Sequence, residues 1–205
     1  MVKQPAWLDG STSPVLASHA LPWFKCGFQD DCSLRKPPHV IDIFLLPGEI
    51  YFGDRDTRIR TLLGSCVAIT LWHPQRLIGG MCHYMLPARG GKMEGDPEGH
   101  YDGRYADEAM QLLLREMRAA GTAPEEYEAK LFGGGTMLPF ASRKKKDCVD
   151  VPCRNIRASR ELLAQYGIRV VAEHVGERGH RNVLFDIWSG HVWLRHTALM
   201  KSPGK

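Results

Sequence analysis

The stretch over residues 61–87, TLLGSCVAITLWHPQRLIGGMCHYMLP, constrains the fold of this chain more than any other. An apolar run rich in β-branched residues covers residues 67–72, and a second apolar run covers residues 77–86. Between them stands His73-Pro74-Gln75-Arg76, a segment typical of a turn. Two apolar runs around a short turn predict a β-hairpin.

The position of the turn sets an expected register for this hairpin. If residues 73–76 form the turn and the strands pair symmetrically around it, Cys66 lies directly opposite His83. Directly opposite residues of an antiparallel pair share a face of the sheet, with Cβ atoms roughly 4.5 to 5.5 Å apart. The sequence therefore predicts that this thiol and this imidazole lie within hydrogen-bonding reach of each other.

The same register divides the hairpin into two faces. The face of Cys66 and His83 also carries Ala68, Thr70, Gly79 and Met81. Several of these residues are small, so this face is expected to leave room for a substrate side chain. The opposite face carries larger apolar residues and is expected to face the core: Val67, Ile69, Leu71, Ile78, Cys82, Tyr84 and Leu86.

A cysteine beside a histidine indicates nucleophilic chemistry. The thiolate is the reactive form of cysteine, and a neighbouring imidazole can take the proton from the thiol. We expect the resulting imidazolium to stabilise the thiolate and so to lower the pKa of Cys66. Gly64 and Ser65 directly precede Cys66 and predict a tight turn whose backbone N–H groups could hold an oxyanion. The alternative is structural: Cys66 is then a small buried apolar residue and His83 a hydrogen-bonded polar one.

Four separate blocks, in the same order along the chain, resemble the CheD family of chemoreceptor glutamine deamidases. The resemblance covers roughly residues 42–195. The blocks are LGSCV at 63–67, GGMCHYMLP at 79–87, YADEAM at 105–110 and KLFGGGTM at 130–137. The resemblance implies a hydrolase that converts particular glutamines of methyl-accepting chemotaxis proteins to glutamates. It also implies a possible CheC-type phosphatase as a second partner.

The resemblance assigns roles to individual residues. It implies that Cys66 is the nucleophile and His83 the base, and that a threonine shortly before the cysteine assists them. Thr61 is the candidate, although TLLGSC in this chain is one residue shorter than the TLGLGSC of some family members. Two further departures are Cys82, where the family commonly has Asn or Ala, and VPCRN at 151–155, where many members have VGxRN.

The order of the predicted elements indicates the fold class. A strand over residues 39–46 and the hairpin precede a helix starting near Tyr105, a strand ending at three glycines, a helix over residues 155–166, a strand over 168–175 and a closing hairpin. This order predicts an α/β (α+β) sandwich with a mostly antiparallel or mixed sheet and two main helices. The resemblance implies the same fold, shared with the catalytic domains of the cytotoxic necrotizing factors.

Composition supports one domain with extensions. With 43% hydrophobic residues in 205, the chain can bury one sizeable core. We expect a poorly ordered extension over residues 1–39, a single domain over 40–197 and a tail over 198–205. The polar, glycine-rich segment over residues 89–104 is a candidate lid or receptor-contact surface.

Charge and cysteine usage exclude several function classes. The net charge is +4, and the only dense basic run, residues 143–146, is typical of a solvated loop, so we do not expect nucleic-acid binding. Cys26 and Cys32 fit no common zinc spacing, and the predicted mechanism needs no metal or other cofactor. The start of the chain lacks the apolar segment of a signal peptide, and no run approaches membrane-spanning length, so a cytoplasmic location is expected.

Two other functions remain open from the sequence. A papain-like cysteine peptidase would use the same pair of residues but would release peptide termini. A non-enzymatic chemotaxis adaptor would bind receptors without needing Cys66.

Overall fold

Nine β-strands and two α-helices lie within residues 35–89, 100–137, 148 and 150–199, which are the residues that the computed structural model describes. A short 3-10 helix at Pro124–Glu126 precedes the sixth strand. In chain order the elements are β1 (Ile41–Leu45), β2 (Ile50–Gly53), β3 (Thr57–Leu63), β4 (Val67–His73), β5 (Ile78–Tyr84), α1 (Ala106–Ala119), β6 (Glu128–Gly133), α2 (Val151–Gln165), β7 (Arg169–Val175), β8 (His180–Asp186) and β9 (His191–Thr197).

The strands form two sheets. One has the order β1-β3-β8-β9 and the other the order β2-β5-β4-β6-β7. The pairs β1–β3 and β6–β7 are parallel, whereas the other five pairs are antiparallel. The predicted class, a mixed and mostly antiparallel α/β sandwich with two main helices, is confirmed.

Two apolar clusters hold three layers together. The first joins the five-stranded sheet to the helices and contains Ile69 and Tyr84 of the hairpin with Leu113 of α1 and Leu163 of α2. The second joins the two sheets to each other and contains Ala68 and Met81 with Phe185 of the four-stranded sheet. The five-stranded sheet is therefore covered on both faces, which explains why every residue of β4 is buried.

The predicted division of the hairpin into two faces holds for its core side, except at Leu86, which lies beyond the end of β5 and is exposed. The interior between the sheet and the helices contains Val67, Ile69, Leu71, Cys82 and Tyr84. The prediction for the other face is wrong, because Ala68 and Met81 are fully buried against the second sheet and leave no open space for a substrate. The sequence alone did not show that a second sheet covers this face.

The predicted register of the hairpin is also wrong, by two residues. The turn is formed by residues 74–77, with Leu77 N donating to His73 O at 2.9 Å, so His73 pairs with Ile78 and Ala68 pairs with His83. Leu77 has a φ of 52°, which is uncommon for leucine and which the sequence did not indicate. Because the shift is an even number of residues, side chains keep their faces.

The sequence prediction missed two strands and the start of a helix. β2 and β3 follow β1 directly, and β3 shows the alternation of a strand with one buried face: Thr57, Ile59, Thr61 and Leu63 are buried. α2 begins at Val151, four residues earlier than predicted, because the Asp150 side chain caps it by accepting from Cys153 N at 3.1 Å.

The glycine run at residues 133–135, at the end of β6, allows close backbone approach. A Cβ on Gly133 would lie 2.2 Å from Cys66 O, and one on Gly135 would lie 2.3 Å from Gly179 O. Gly133 also has a φ of 113°, which L-residues rarely adopt. These glycines therefore let the chain pass directly beside the turn that contains Cys66.

Cys82 is fully buried among the apolar residues between the sheet and the helices, so we predict that it has a packing role. Cys82→Ala is expected to lower the free energy of unfolding by about 1 kcal/mol, because it leaves a small cavity. Chemical denaturation would measure this change. A Cys66–Cys82 disulfide in catalytically active protein would contradict the prediction, since the two residues lie on opposite faces of the sheet.

Several predictions concern residues outside the described ranges. These are most of the predicted extension over residues 1–39, Cys26 and Cys32, most of the segment over 89–104, the basic run over 143–146 and most of the tail over 198–205.

Cys148 and Cys153 form a disulfide that was not predicted. Within the described part of the chain, neither helix is long and apolar enough to cross a membrane.

Candidate active site

His83 lies between the two sheets, close to the carboxyl end of β5. Its side chain is 2% exposed, and its Nδ1 lies 2.8 Å from the Oγ1 atom of Thr61 on β3. Thr61 Oγ1 in turn donates to the backbone oxygen of Leu45 on β1, also at 2.8 Å. The imidazole of the five-stranded sheet is therefore held by a hydroxyl of the four-stranded sheet.

This chain of hydrogen bonds fixes the neutral tautomer of His83. A hydroxyl has one proton, and that of Thr61 is donated to Leu45 O, so Thr61 Oγ1 accepts from the Nδ1–H group of His83. The Nε2 atom then carries the lone pair. It is buried and has no hydrogen-bond partner among the described residues. An unprotonated, unpaired ring nitrogen can accept a proton from a nearby acid.

Strand register explains why Thr61 reaches the imidazole. Thr61 pairs with Leu45 on one side and with Val183 on the other, which places it inside the four-stranded sheet, and the alternation of β3 turns its side chain inward. The spacing TLLGSC is therefore compatible with a contact between Thr61 and His83. The structure brings these two predicted site residues together.

Cys66 lies in the bend over residues 64–66 that joins β3 to β4. Cys66 O accepts from Gly134 N and Gly64 O accepts from Gly135 N, each at 2.7 Å, so the glycine run pins this turn. The Cys66 side chain is half-buried and packs against the cluster between the sheets, on the side of His83. The predicted tight turn at Gly64 and Ser65 is present.

The sequence predicted that Cys66 lies directly opposite His83, and this prediction is wrong. Ala68 takes that position, and Cys66 stands two residues before Ala68, in the diagonal direction from the histidine. Diagonal neighbours in an antiparallel pair are typically about 7 to 8 Å apart, so the thiol and Nε2 need a side-chain adjustment to meet. Such looseness is common in active sites without bound substrate.

Burial sets the protonation of both groups. It lowers the pKa of His83 to about 4, against the smaller opposing effects of the Leu45 carbonyl and the negative charge of Glu49. Burial also raises the pKa of the Cys66 thiol, opposed by a hydrogen bond with Ser65. We expected an imidazolium to lower the pKa of this thiol, and that expectation is wrong. Both groups are neutral near pH 7, because a buried imidazole does not keep a second proton.

A second histidine cluster could hold a metal by distance alone. His174, Glu177 and His196 offer ligand atoms that lie within 4.8 Å of one another. However, Arg181 Nε donates to His174 Nδ1 at 2.9 Å, which leaves the proton of neutral His174 on Nε2. With one nitrogen used, the other protonated and a guanidinium alongside, His174 does not fit a cation site.

Comparisons with known proteins agree with the resemblance noted in the sequence. A family model described as "CheD chemotactic sensory transduction" matches residues 85–196. This match begins after His83, so it does not include Thr61, Cys66 or His83 themselves.

Curated relatives cover more of the chain. A protein of Pseudomonas savastanoi pv. phaseolicola, named "Probable chemoreceptor glutamine deamidase CheD", is 51% identical over 163 residues, covering 80% of this chain and 89% of that protein. A protein of Dechloromonas aromatica, "Probable chemoreceptor glutamine deamidase CheD 3", is 51% identical over 158 residues, covering 77% of this chain and 89% of its own length. A Leptospira interrogans protein, "Probable chemoreceptor glutamine deamidase CheD 1", is 37% identical over 164 residues, covering 78% of this chain and 96% of that protein.

A comparison of structures finds a distant likeness. The crystal structure of the Bacillus licheniformis hypothetical protein YfiH has 14% sequence identity and a TM-score of 0.35, covering 60% of this chain and 49% of that one. This TM-score is too low to support an argument about the fold. The extent and identity of the sequence matches, by contrast, show that this chain belongs to the CheD family.

Proposed function

We propose that this protein is a chemoreceptor glutamine deamidase that uses a Cys-His thiol mechanism. It hydrolyses the side-chain amides of specific glutamines in methyl-accepting chemotaxis proteins, in the cytoplasm, and so tunes chemotaxis signalling. The observation that carries the proposal is the Nε2 atom of His83, which is buried, lacks a hydrogen-bond partner within the described part of the chain, and is oriented by Thr61 beside the turn that contains Cys66. The names of relatives that are half identical to this chain point to the same substrate.

The reaction begins with two neutral groups. His83 Nε2 takes the proton of the Cys66 thiol, and the sulfur attacks the carboxamide carbon of the glutamine. The resulting oxyanion lies near the backbone N–H groups of the turn at Gly64 and Ser65. The C–N bond then breaks, the proton from Nε2 leaves with ammonia, and a thioester remains on Cys66.

Water completes the reaction. His83 Nε2 accepts a proton from the water as its oxygen attacks the thioester carbon, and the proton returns to the departing sulfur. The products are a glutamate side chain, ammonia and the original thiol. No step requires a metal or an organic cofactor.

Thr61 supports each step in which His83 carries an extra proton. When Nε2 is protonated, the Nδ1–H group donates from an imidazolium, and the hydrogen bond to Thr61 Oγ1 becomes charge-assisted. A hydroxyl stabilises this cation less than a carboxylate does. The imidazolium is therefore short-lived, which agrees with the low pKa of His83.

The pH dependence of Cys66 alkylation tests this pairing. A neutral thiol and a neutral imidazole react through a minor thiolate–imidazolium form whose population does not change with pH between the two pKa values. Burial lowers the pKa of His83 to about 4 and raises that of Cys66, which disfavours this form. The proposed pairing requires that the attraction between thiolate and imidazolium outweigh this effect, so that the pair outnumbers the free thiolate. It therefore predicts a flat rate of iodoacetamide alkylation from about pH 5 to pH 8. Peptide mapping by mass spectrometry would measure it.

The variant His83→Ala is the control for this measurement. Its alkylation rate at Cys66 should be low near neutrality and should rise about tenfold per pH unit, since only the free thiolate then reacts. A wild-type rate that also rises tenfold per pH unit from pH 5 to pH 8 would remove His83 from the activation of the thiol.

The decisive experiment uses a receptor cytoplasmic fragment. The protein and the fragment are incubated together, glutamine-to-glutamate conversion is mapped by mass spectrometry, and ammonia is measured in parallel. We expect conversion at particular glutamines in an intact fragment, with none after Cys66→Ala. New peptide termini would instead indicate a peptidase. Receptor binding with no conversion and no ammonia would indicate an adaptor.

A CheC-type phosphatase is a second proposed partner, supported by the family resemblance alone. Mixing the two purified proteins and measuring the mass of the complex in solution tests it. Separate elution of the two proteins at micromolar concentration would count against this partner.

A further inference from the structure

Asn155 on α2 is a fully buried polar residue that contacts both halves of the proposed site. Its Nδ2 atom donates to Met85 O at 2.8 Å and to Ser65 O at 3.3 Å. These two acceptors fix the orientation of the amide, because a flipped side chain would place Oδ1 against two carbonyl oxygens. Both protons of the amide are therefore used.

The two carbonyls belong to the segments that carry the proposed nucleophile and base. Ser65 directly precedes Cys66, and Met85 follows His83 by two residues. The ladder between β4 and β5 ends at the pair formed by Val67 and Tyr84, so the two segments lie beyond its last pair. The Asn155 amide bridges them at this point and takes the place of a further backbone pair.

Fold stability alone does not account for an asparagine at this position. Oδ1 is buried and has no hydrogen-bond partner among the described residues, and an unsatisfied buried acceptor costs free energy. The helix has other anchors: Leu163 packs in the core, and Tyr84 donates its hydroxyl to the Asn155 backbone oxygen at 2.7 Å. An apolar side chain of similar size would avoid the cost of the unsatisfied Oδ1 atom, but it would lose the bridge to Ser65 O and Met85 O.

We propose that Asn155 is a positioning residue, which holds the turn of Cys66 against the end of the strand that carries His83. It acts through these two segments and does not touch the reacting atoms. The inference rests on the proposed function when deamidation is measured. When alkylation of Cys66 is measured, it depends only on the position of the thiol relative to the imidazole. Loss of the bridge should therefore reduce the frequency with which these two groups meet.

Two variants of nearly the same size separate the amide bridge from packing. Asn155→Leu removes the donor and the unsatisfied acceptor together, and Asn155→Asp keeps the shape but turns a carboxylate oxygen towards two carbonyls. Ser159→Ala is the matched control: Ser159 is fully buried one turn later on α2, and its hydroxyl bonds to Ile156 O at 2.8 Å. Neither contact of the bridge involves Ser159.

We expect both Asn155 variants to lower kcat for deamidation of the receptor fragment about tenfold to a hundredfold, with KM changed less than about threefold. The alkylation rate of Cys66 on its flat pH range should fall by a similar factor. Ser159→Ala should stay within about threefold of the wild type in both measurements. All rates are compared at a temperature at which each protein is folded by circular dichroism.

The alkylation measurement separates this inference from the proposed function. Folded Asn155→Leu with kcat and alkylation rate within threefold of the wild type would overturn the positioning role. If Asn155→Leu does not fold, Asn155→Asp carries the same comparison. If the wild type does not deamidate receptors but the Asn155 variants still slow alkylation relative to Ser159→Ala, the function fails and the positioning role stands.

Discussion

Cys66→Ala, His83→Ala and the double variant are each expected to reduce deamidation of a receptor fragment by a similar factor, roughly a thousandfold or more. The effects do not add, because a nucleophile and its base act as one unit, and removal of either leaves the other without a function. Quantitative mass spectrometry of the converted glutamines would measure all three rates. Each variant should remain folded, since neither change affects the apolar core between the sheet and the helices.

Thr61→Val is expected to reduce the deamidation rate less than the three variants above. It keeps the shape of the side chain but removes the oxygen that accepts from His83 Nδ1–H, and such an oriented hydrogen bond contributes at most a few kcal/mol. Its rate should therefore fall between those of the wild type and His83→Ala. Folded His83→Ala protein that deamidates receptors at a near-normal rate would remove this histidine from the mechanism.

Gly133→Ala is expected to cost about 3 kcal/mol or more of the free energy of unfolding and to abolish activity in the protein that still folds. Its φ of 113° disfavours any side chain, and the added Cβ would lie 2.2 Å from Cys66 O and 3.0 Å from Val67 Cα. The neighbouring atoms are backbone, so the turn that contains Cys66, the proposed nucleophile, must move. Thermal denaturation and the deamidation assay would measure the two effects.

Gly121→Ala separates conformational cost from contact. Gly121 also has a positive φ, 65°, but an added Cβ would meet nothing within 4 Å. Its substitution should therefore cost only about 1 kcal/mol and leave activity unchanged, because it lies after α1. A Gly133→Ala protein as stable and as active as Gly121→Ala would show that the two backbones are not in close contact in solution.

The sequence predicted the faces of the hairpin better than its register. Alternation of period two is a property of every strand, so the core positions of Ile69, Cys82 and Tyr84 followed from the pattern even with the turn misplaced. The register depended on the backbone of Leu77, which adopts a positive φ without the glycine or asparagine that usually signals it.

The contact between Thr61 and His83 could not be derived from local patterns. It joins strands of different sheets, and the packing of one sheet on another depends on side chains distant in sequence. The alternation of Thr57, Ile59, Thr61 and Leu63 was nevertheless a readable signal for β3. It would have placed Thr61 on a buried face.

Asn155 shows a different limit of the sequence. Its position in VPCRN was visible, but a single asparagine near the start of a helix has many possible roles. Only the convergence of Ser65 O and Met85 O on one amide indicates a bridge. The pKa values were likewise not predictable, because they follow from burial and burial follows from the assembled layers.

Under the proposed mechanism, the hydrogen bond between Thr61 and His83 makes catalysis dependent on the docking of two layers. Each sheet could keep its own backbone ladder while the distance between the sheets increases, but the histidine would then lose the oxygen that selects its tautomer. Enzymatic activity therefore reports on tertiary packing and not on secondary structure. During heating, the protein is expected to stop deamidating receptors before circular dichroism records any loss of its strands.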